Sequence, residues 1–227
     1  GGVLGTFFYT KALSYVNYID LSVVVLLQKL QPIFAIALAG VILKEKITKR
    51  FIILAFAAIV GGYLVTFGSS SINDWDDKTI IAALLALLAA FSWGSSTVLG
   101  KHALNRLSFT TVTSLRLAIT ASVTAFVLLS TGQYDAINNM TLSHWGFIVL
   151  IVLSTGSLAL FFYYYGLNKL PASHATLYEL FWPLSAVGLD WFIRGNILSL
   201  PQWVGAILLL GAIIILTRET NNGQTQS

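Results

Sequence analysis

Cysteine is absent from the 227 residues, which removes disulfides and thiolate metal sites and leaves the redox compartment unread. Charge is scarce as well: Asp, Glu, Lys and Arg make up 10% of the chain, against about a quarter in an average soluble domain. The three histidines, His102, His144 and His174, lie far apart and near the ends of apolar segments. No histidine and carboxylate cluster therefore has metal-ligand spacing, and no cofactor is expected. The stretch STGSL at 154–158 is not a nucleophile elbow, and no glycine-rich phosphate loop occurs. An intramembrane hydrolase and direct ATP drive are disfavoured, and the chain does not read as an enzyme. The net charge of +4 is spread over short loops without a basic tract, so no nucleic-acid partner is expected.

Apolar sequence is what the chain has in abundance. Hydrophobic residues make up 56% and the mean hydropathy is +0.81, so the expected solvent is a lipid bilayer. Eight mostly apolar stretches, at about 1–16, 21–43, 50–68, 79–100, 109–131, 143–168, 172–193 and 200–217, each approach the roughly 18–20 residues that cross about 30 Å of hydrocarbon as a helix. The alternating ten-residue segments of an outer-membrane barrel are missing. The predicted class is an all-α polytopic membrane protein.

Loop charges predict its orientation. Lys44, Lys46, Lys49 and Arg50 against Glu45 give one junction a net +3, whereas Asp74, Asp76 and Asp77 against Lys78 give the next −2. Lys101 with Arg106, then Asp135, then Lys169 continue the alternation, with Arg194 as an exception. The positive-inside rule then places 44–50, 101–106, 169 and the C-terminus in the cytoplasm. Trp75, Trp145 and Trp203 fall at segment edges as interfacial anchors. Ala82, Ala86, Ala90 and Gly94 form a small-residue stripe suited to close helix packing, and Gly61, Gly62, Gly205 and Gly211 suggest the same.

The most unusual stretch is LLQKLQPIFAIAL at 26–38, where Gln28, Lys29, Gln31 and Pro32 interrupt an apolar run. Lys29 lies three residues from the segment centre, about 4–5 Å at 1.5 Å per residue, too deep for its stem to snorkel across a ~15 Å half-thickness. Charge at such depth faces the bundle interior and marks a pathway. Aligning QKLQP at 28–32 with ELFWP at 179–183 reveals an internal repeat at an offset of 151. By the loop charges the two copies run in opposite directions, the arrangement of transporters whose sites lie near the bilayer midplane. Pro32 removes the helical partner of the Gln28 carbonyl and Pro183 that of the Glu179 carbonyl, so both kinks are expected to line a wet cavity.

FFYTKALSYVNY, LLQKLQPIFAIALAGVILKEKIT, a following apolar span with a glycine pair, and AFSWGSSTVLGKHAL before SLRLAIT together resemble the EamA-type family of the drug/metabolite transporter superfamily, over essentially 1–218. The matching features are Ala12, Leu13 and Tyr15 at a span end, the mid-span Pro32 and Pro183, the acidic Glu45, and Trp93. The second copy departs in having Gly195 in place of Glu45 and Glu179 a turn before its proline. The resemblance implies ten helices in two inverted five-helix halves, and movement of small metabolites, often export, across a bacterial inner membrane. On that pattern 1–68 holds the last three helices of the first half, 69–78 an outer linker, 79–218 the second half, and 219–227 a polar cytoplasmic tail. Eight of ten spans would be present, with two missing from the start of the chain.

The expected cavity residues are Gln28, Lys29, Gln31 and Glu179, with Trp93, Tyr164, Tyr178 and Trp182 as deeper aromatics and Lys11 nearer the outer end. Structural accounts stand beside these: the glutamines as interhelical glue, Lys29 paired to Glu179, the aromatics as packing. Arg116 suits snorkelling or orientation of a loop carboxylate, and Asp190 with Arg194 a helix-end pair. Glu179 is the candidate for proton coupling or for a substrate amine. The expected activity is alternating-access transport of a small-molecule substrate such as an amino acid, with a sugar-phosphate or nucleotide-sugar antiporter as the alternative. A membrane scaffold or sensor is the alternative from another class, and a homodimer is a candidate assembly.

Overall fold

A computed structural model describes residues 2–15, 24, 27–67, 77–132, 140–194 and 199–224. The linker charges at 74–76, Trp75, Asp135, Gly195 and the side chains of Pro183, Asp190 and Arg194 lie outside the described residues. Helices run in the order α1 (Gly2–Leu13), α2 (Gln31–Leu38), α3 (Lys49–Phe67), α4 (Asp77–Leu104), α5 (Phe109–Thr131), α6 (Leu142–Ile151), α7 (Ala159–Lys169), α8 (Ala172–Tyr178), α9 (Phe181–Arg194) and α10 (Leu200–Gln224). No strand occurs among the described residues. Wide π-helical turns extend α2 through Ala39–Leu43 and join α6 to α7 through Val152–Leu158. Among the described residues, four stretches are long and apolar enough to cross a membrane: Ile80–Leu104, Phe109–Thr131, Leu142–Lys169 and Leu200–Arg218.

The expected segments at 21–43 and 172–193 are not continuous helices. Each breaks near its middle, at Lys29–Leu30 and at Glu179–Leu180. Leu30 N–H donates to Leu27 O at 3.2 Å, and Leu180 N–H donates to Leu177 O at 3.1 Å, tightening the backbone in the same way at both places. The proline argument predicted a kink but erred on one carbonyl. The Glu179 carbonyl accepts Trp182 N–H at 3.1 Å, because the tightened turn supplies a donor one residue before Pro183.

The chain divides into two compact units. The first comprises Val3–Val98 with Leu170–Ser227. Its helices approach closely where glycine permits it. A Cβ added to Gly205 would lie 2.7 Å from the Gly61 carbonyl, and one added to Gly61 would lie 2.8 Å from the Gly205 carbonyl, so α3 and α10 meet backbone to backbone. Gly94 does the same for α2, since an added Cβ would fall 3.0 Å from Gln31 O and 3.1 Å from Ala35 N. That contact seats the first turn of α2, which carries Gln31. Ala82, Ala86 and Ala90 are fully buried, as the small-residue stripe predicted. Gly211 meets nothing within 4 Å, so the close approach expected there does not occur.

Between α3 and α10 lies a core of Phe51, Ala55, Ala58, Leu209, Ala212 and Leu216, which also takes in Leu177 and Leu180. Two buried leucines thus anchor the second helix break on either side of Glu179.

The second unit, Leu99–Lys169, pairs α5 with α7. Phe109 stacks edge-on against Phe161 and Tyr165 at 5.0 and 5.4 Å between ring centres. Ser108 caps α5 by accepting Thr111 N–H at 3.2 Å, and Gly132, in the left-handed region at φ 66°, ends it. Arg116 donates to the Tyr164 hydroxyl at 2.9 Å, and Lys101 donates to the Leu167 and Asn168 carbonyls at the end of α7. These contacts account for Arg116 and Tyr164 without a solute. Large apolar side chains such as Ile119, Phe126 and Phe147 are well exposed. So extensive an apolar exterior belongs in lipid rather than water.

Candidate functional site

The two helix breaks of the first unit meet at a cavity of about 320 Å³. From the first break come Gln28, Lys29, Gln31 and Pro32; from the second come Thr176, Glu179, Leu180 and Trp182. Gln28 precedes the Lys29–Leu30 turn and Gln31 follows it, and both reach the cavity. Gln31 Nε2 donates to Glu179 Oε2 at 2.6 Å, joining side chains 148 positions apart. The bond spans the cavity between the two elements, so the pair holds the two breaks in register. Lys29 Nζ sits 4.1 Å above the centre of the Trp182 ring, a cation–π contact of roughly 0.5–2 kcal/mol. Trp182 is nonetheless 66% exposed, which leaves most of its ring uncovered by protein.

The breaks explain this convergence. A regular helix directs only one stripe toward a neighbour. A turn at Lys29–Leu30 resets the rotation, so Gln28, Lys29 and Gln31 all border one space. By its place in the turn, Glu179 corresponds to Lys29 rather than to Gln28, one position away from the sequence alignment through the prolines. A cation and a carboxyl thus occupy like positions in the two breaks. The wall divides by chemistry: Pro32, Leu180 and the Trp182 ring are apolar, while the two amides, the carboxyl and the Thr176 hydroxyl can hydrogen-bond.

Several expected site residues lie elsewhere. Trp93 packs on α1, with its ring 5.5 Å from that of Tyr9 and against Gly5, where an added Cβ would lie 2.5 Å from Trp93 Nε1. Lys11 is exposed, its Nζ 5.9 Å from the Tyr15 ring centre. Tyr178 accepts a hydrogen bond from Thr217 at 3.3 Å. None of the three lines the cavity. Glu45 serves the backbone: Oε1 accepts Ala172 N–H at 2.7 Å, and Oε2 accepts Ser173 N–H at 3.1 Å together with the Ser173 hydroxyl. It caps α8, whose N-cap residue Pro171 offers no side-chain cap of its own. Thr176 and Leu180 are the cavity residues that the sequence reading missed, and Thr176 is the polar one. For Thr176 the available signal was spacing, since a hydroxyl one turn before Glu179 shares that residue's face.

The profile of the EamA-like transporter family matches residues 1–67 and 80–218. The chain belongs to the EamA-like transporter family. It is similar to a riboflavin transporter of Fusobacterium nucleatum, 43% identical over 96% of this chain and 73% of that protein. It is also similar to a riboflavin transporter of Brucella anthropi, 25% identical over 86% of this chain and 67% of that one. A solved crystal structure of 18% identity superposes with a TM-score of 0.73, covering 96% of this chain and 75% of the other, and shares the fold. The molecule is therefore an integral membrane protein of a transporter family whose relatives are named as transporters and not as enzymes. Its substrate is a small molecule.

Proposed function

We propose that this EamA-family chain is a secondary transporter that carries riboflavin, or a solute with the same union of flat ring and polar chain, across the membrane by alternating access. The observation that carries the reading is the division of the cavity wall. The exposed Trp182 ring, Pro32 and Leu180 suit a planar aromatic system, and Gln28, Gln31, Glu179 and Thr176 suit its carbonyl, N–H and hydroxyl groups. A volume of about 320 Å³ falls at the small end of the roughly 300–1,000 Å³ typical of small-molecule sites. The names of the two riboflavin-transporting relatives support the same solute. It takes the place of the amino acid expected from the sequence as the first substrate to test. A phosphorylated solute is disfavoured, since Lys29 is the single cation among the lining residues and phosphate favours several.

In this reading the two breaks are equivalent points of two inverted halves in an eight-span chain, with the C-terminus cytoplasmic. Their like turns support the equivalence. Glu179 is the proton-coupling group, its carboxyl engaged by Gln31 in the state described. The test is uptake into proteoliposomes of riboflavin and, separately, of a labelled amino-acid pool, with and without a pH gradient. Saturable riboflavin uptake that amino acids do not inhibit is the expected result. Amino-acid uptake without riboflavin uptake would overturn the substrate, and indifference to the gradient would overturn the coupling.

A further inference from the structure

Hydroxyls in these helices normally turn back on the backbone. Ser92, Ser95, Thr113 and Thr124 each donate to the carbonyl four residues earlier, at 2.7 or 2.8 Å. Thr176 does not. It is 0% exposed, yet its Oγ1 has no hydrogen-bond partner among the described residues. It sits in the middle of α8 and lines the cavity with Glu179 and Leu180, which follow it by three and four positions on the same helix face. A buried hydroxyl without a partner forfeits its hydration with no compensation, and such groups are few in native proteins. Nothing in the sequence forces this one, because the same residue type elsewhere in the chain satisfies itself locally.

We propose that Thr176 is a specificity-determining residue of the transport site, whose hydroxyl hydrogen-bonds a polar group of the transported solute. The inference rests on the riboflavin reading given above and assigns one contact within it. A hydroxyl both donates and accepts, so its partner is either a hydroxyl of the solute's side chain or a carbonyl or N–H at the ring edge. The solute supplies the partner that the fold withholds. Thr176 and the Gln31–Glu179 bond then act on different aspects of transport. The carboxyl is tied to the opposite helix, whereas the hydroxyl has no partner among the described residues and contributes only when solute is bound.

The contact has a signature that a structural role would not share. Thr176→Val keeps the shape of the side chain and removes only the hydrogen-bonding atom. The full chain in lipid nanodiscs would be titrated with riboflavin and with lumiflavin, which lacks the hydroxylated chain, by flavin fluorescence quenching. Thermal unfolding would be followed without ligand. Thr176→Val should weaken riboflavin binding about tenfold, or ~1.4 kcal/mol, while Thr176→Ser stays near wild type. The midpoint of Thr176→Val without ligand should be unchanged or higher, because an unpaired polar atom has been removed. Weakening toward riboflavin alone assigns the contact to the hydroxylated chain, and equal weakening toward both flavins assigns it to the ring; either supports the proposal. Wild-type binding in Thr176→Val overturns it and leaves the transport reading standing. A lowered midpoint together with lost binding overturns it in favour of a structural hydroxyl. Wild-type protein that binds neither flavin overturns both readings.

Discussion

The two ends of α8 are each served by a glutamate, and the two glutamates are used in opposite ways. Glu45 commits both oxygens to the first turn, accepting from Ala172 N–H, Ser173 N–H and the Ser173 hydroxyl. The helix dipole adds to the attraction, since an anion at a helix N-terminus is stabilised. Glu179, just past the last residue of the same helix, borders a cavity and takes an amide from a side chain on another element. Placing a carboxyl at the C-terminal end runs against the dipole, and the protein retains it there. Glu45 is thus spent on the backbone of α8, whereas Glu179 faces a cavity and a side chain of another element.

The comparison can be broken by substitution. Glu45→Ala carries the largest expected effect on the fold, about 2–3 kcal/mol of lost stability, because three donors at the start of α8 lose their acceptor together. Thermal unfolding in detergent measures it, and any transport lost should track the loss of folded protein. Glu179→Gln should do the reverse, leaving the unfolding midpoint within a few degrees of wild type while lowering riboflavin uptake at least tenfold, or about 1.4 kcal/mol. If Glu179→Gln melts early and Glu45→Ala does not, the two assignments are exchanged. The smallest effect belongs to Ser173→Ala, which removes one of the donors to Glu45 and should reduce stability by about 0.5–1.5 kcal/mol with the uptake of the folded fraction unchanged.

Legibility in the sequence followed the range of the interaction. The membrane setting, the all-helical class and the polar interruption at Gln28–Pro32 depend on composition and on neighbours a few positions apart and could be read directly, whereas the breaks that divide 21–43 and 172–193 could not. The stripe of Ala82, Ala86 and Ala90 was legible for the same reason, because it is a local period. Trp93 and Lys11 were misplaced because depth along a segment says nothing about which neighbour a side chain meets. Trp93 turned toward Gly5 and Tyr9 on α1, where a glycine leaves room for its indole. Thr176 escaped notice because a hydroxyl in an apolar helix ordinarily bonds its own backbone, and only the missing partner distinguishes it.

Hydropathy alone determined that this chain belongs in a bilayer and that charge within its segments would be rare, because the transfer free energy of a segment sums over its own residues. The tertiary structure decided that Gln31 faces Glu179 and Lys29 covers Trp182, and that Glu45 became a cap. Each of those contacts joins residues more than a hundred positions apart. Their existence depends on where the helices break and which glycines let them close together, and no local window of sequence contains that geometry.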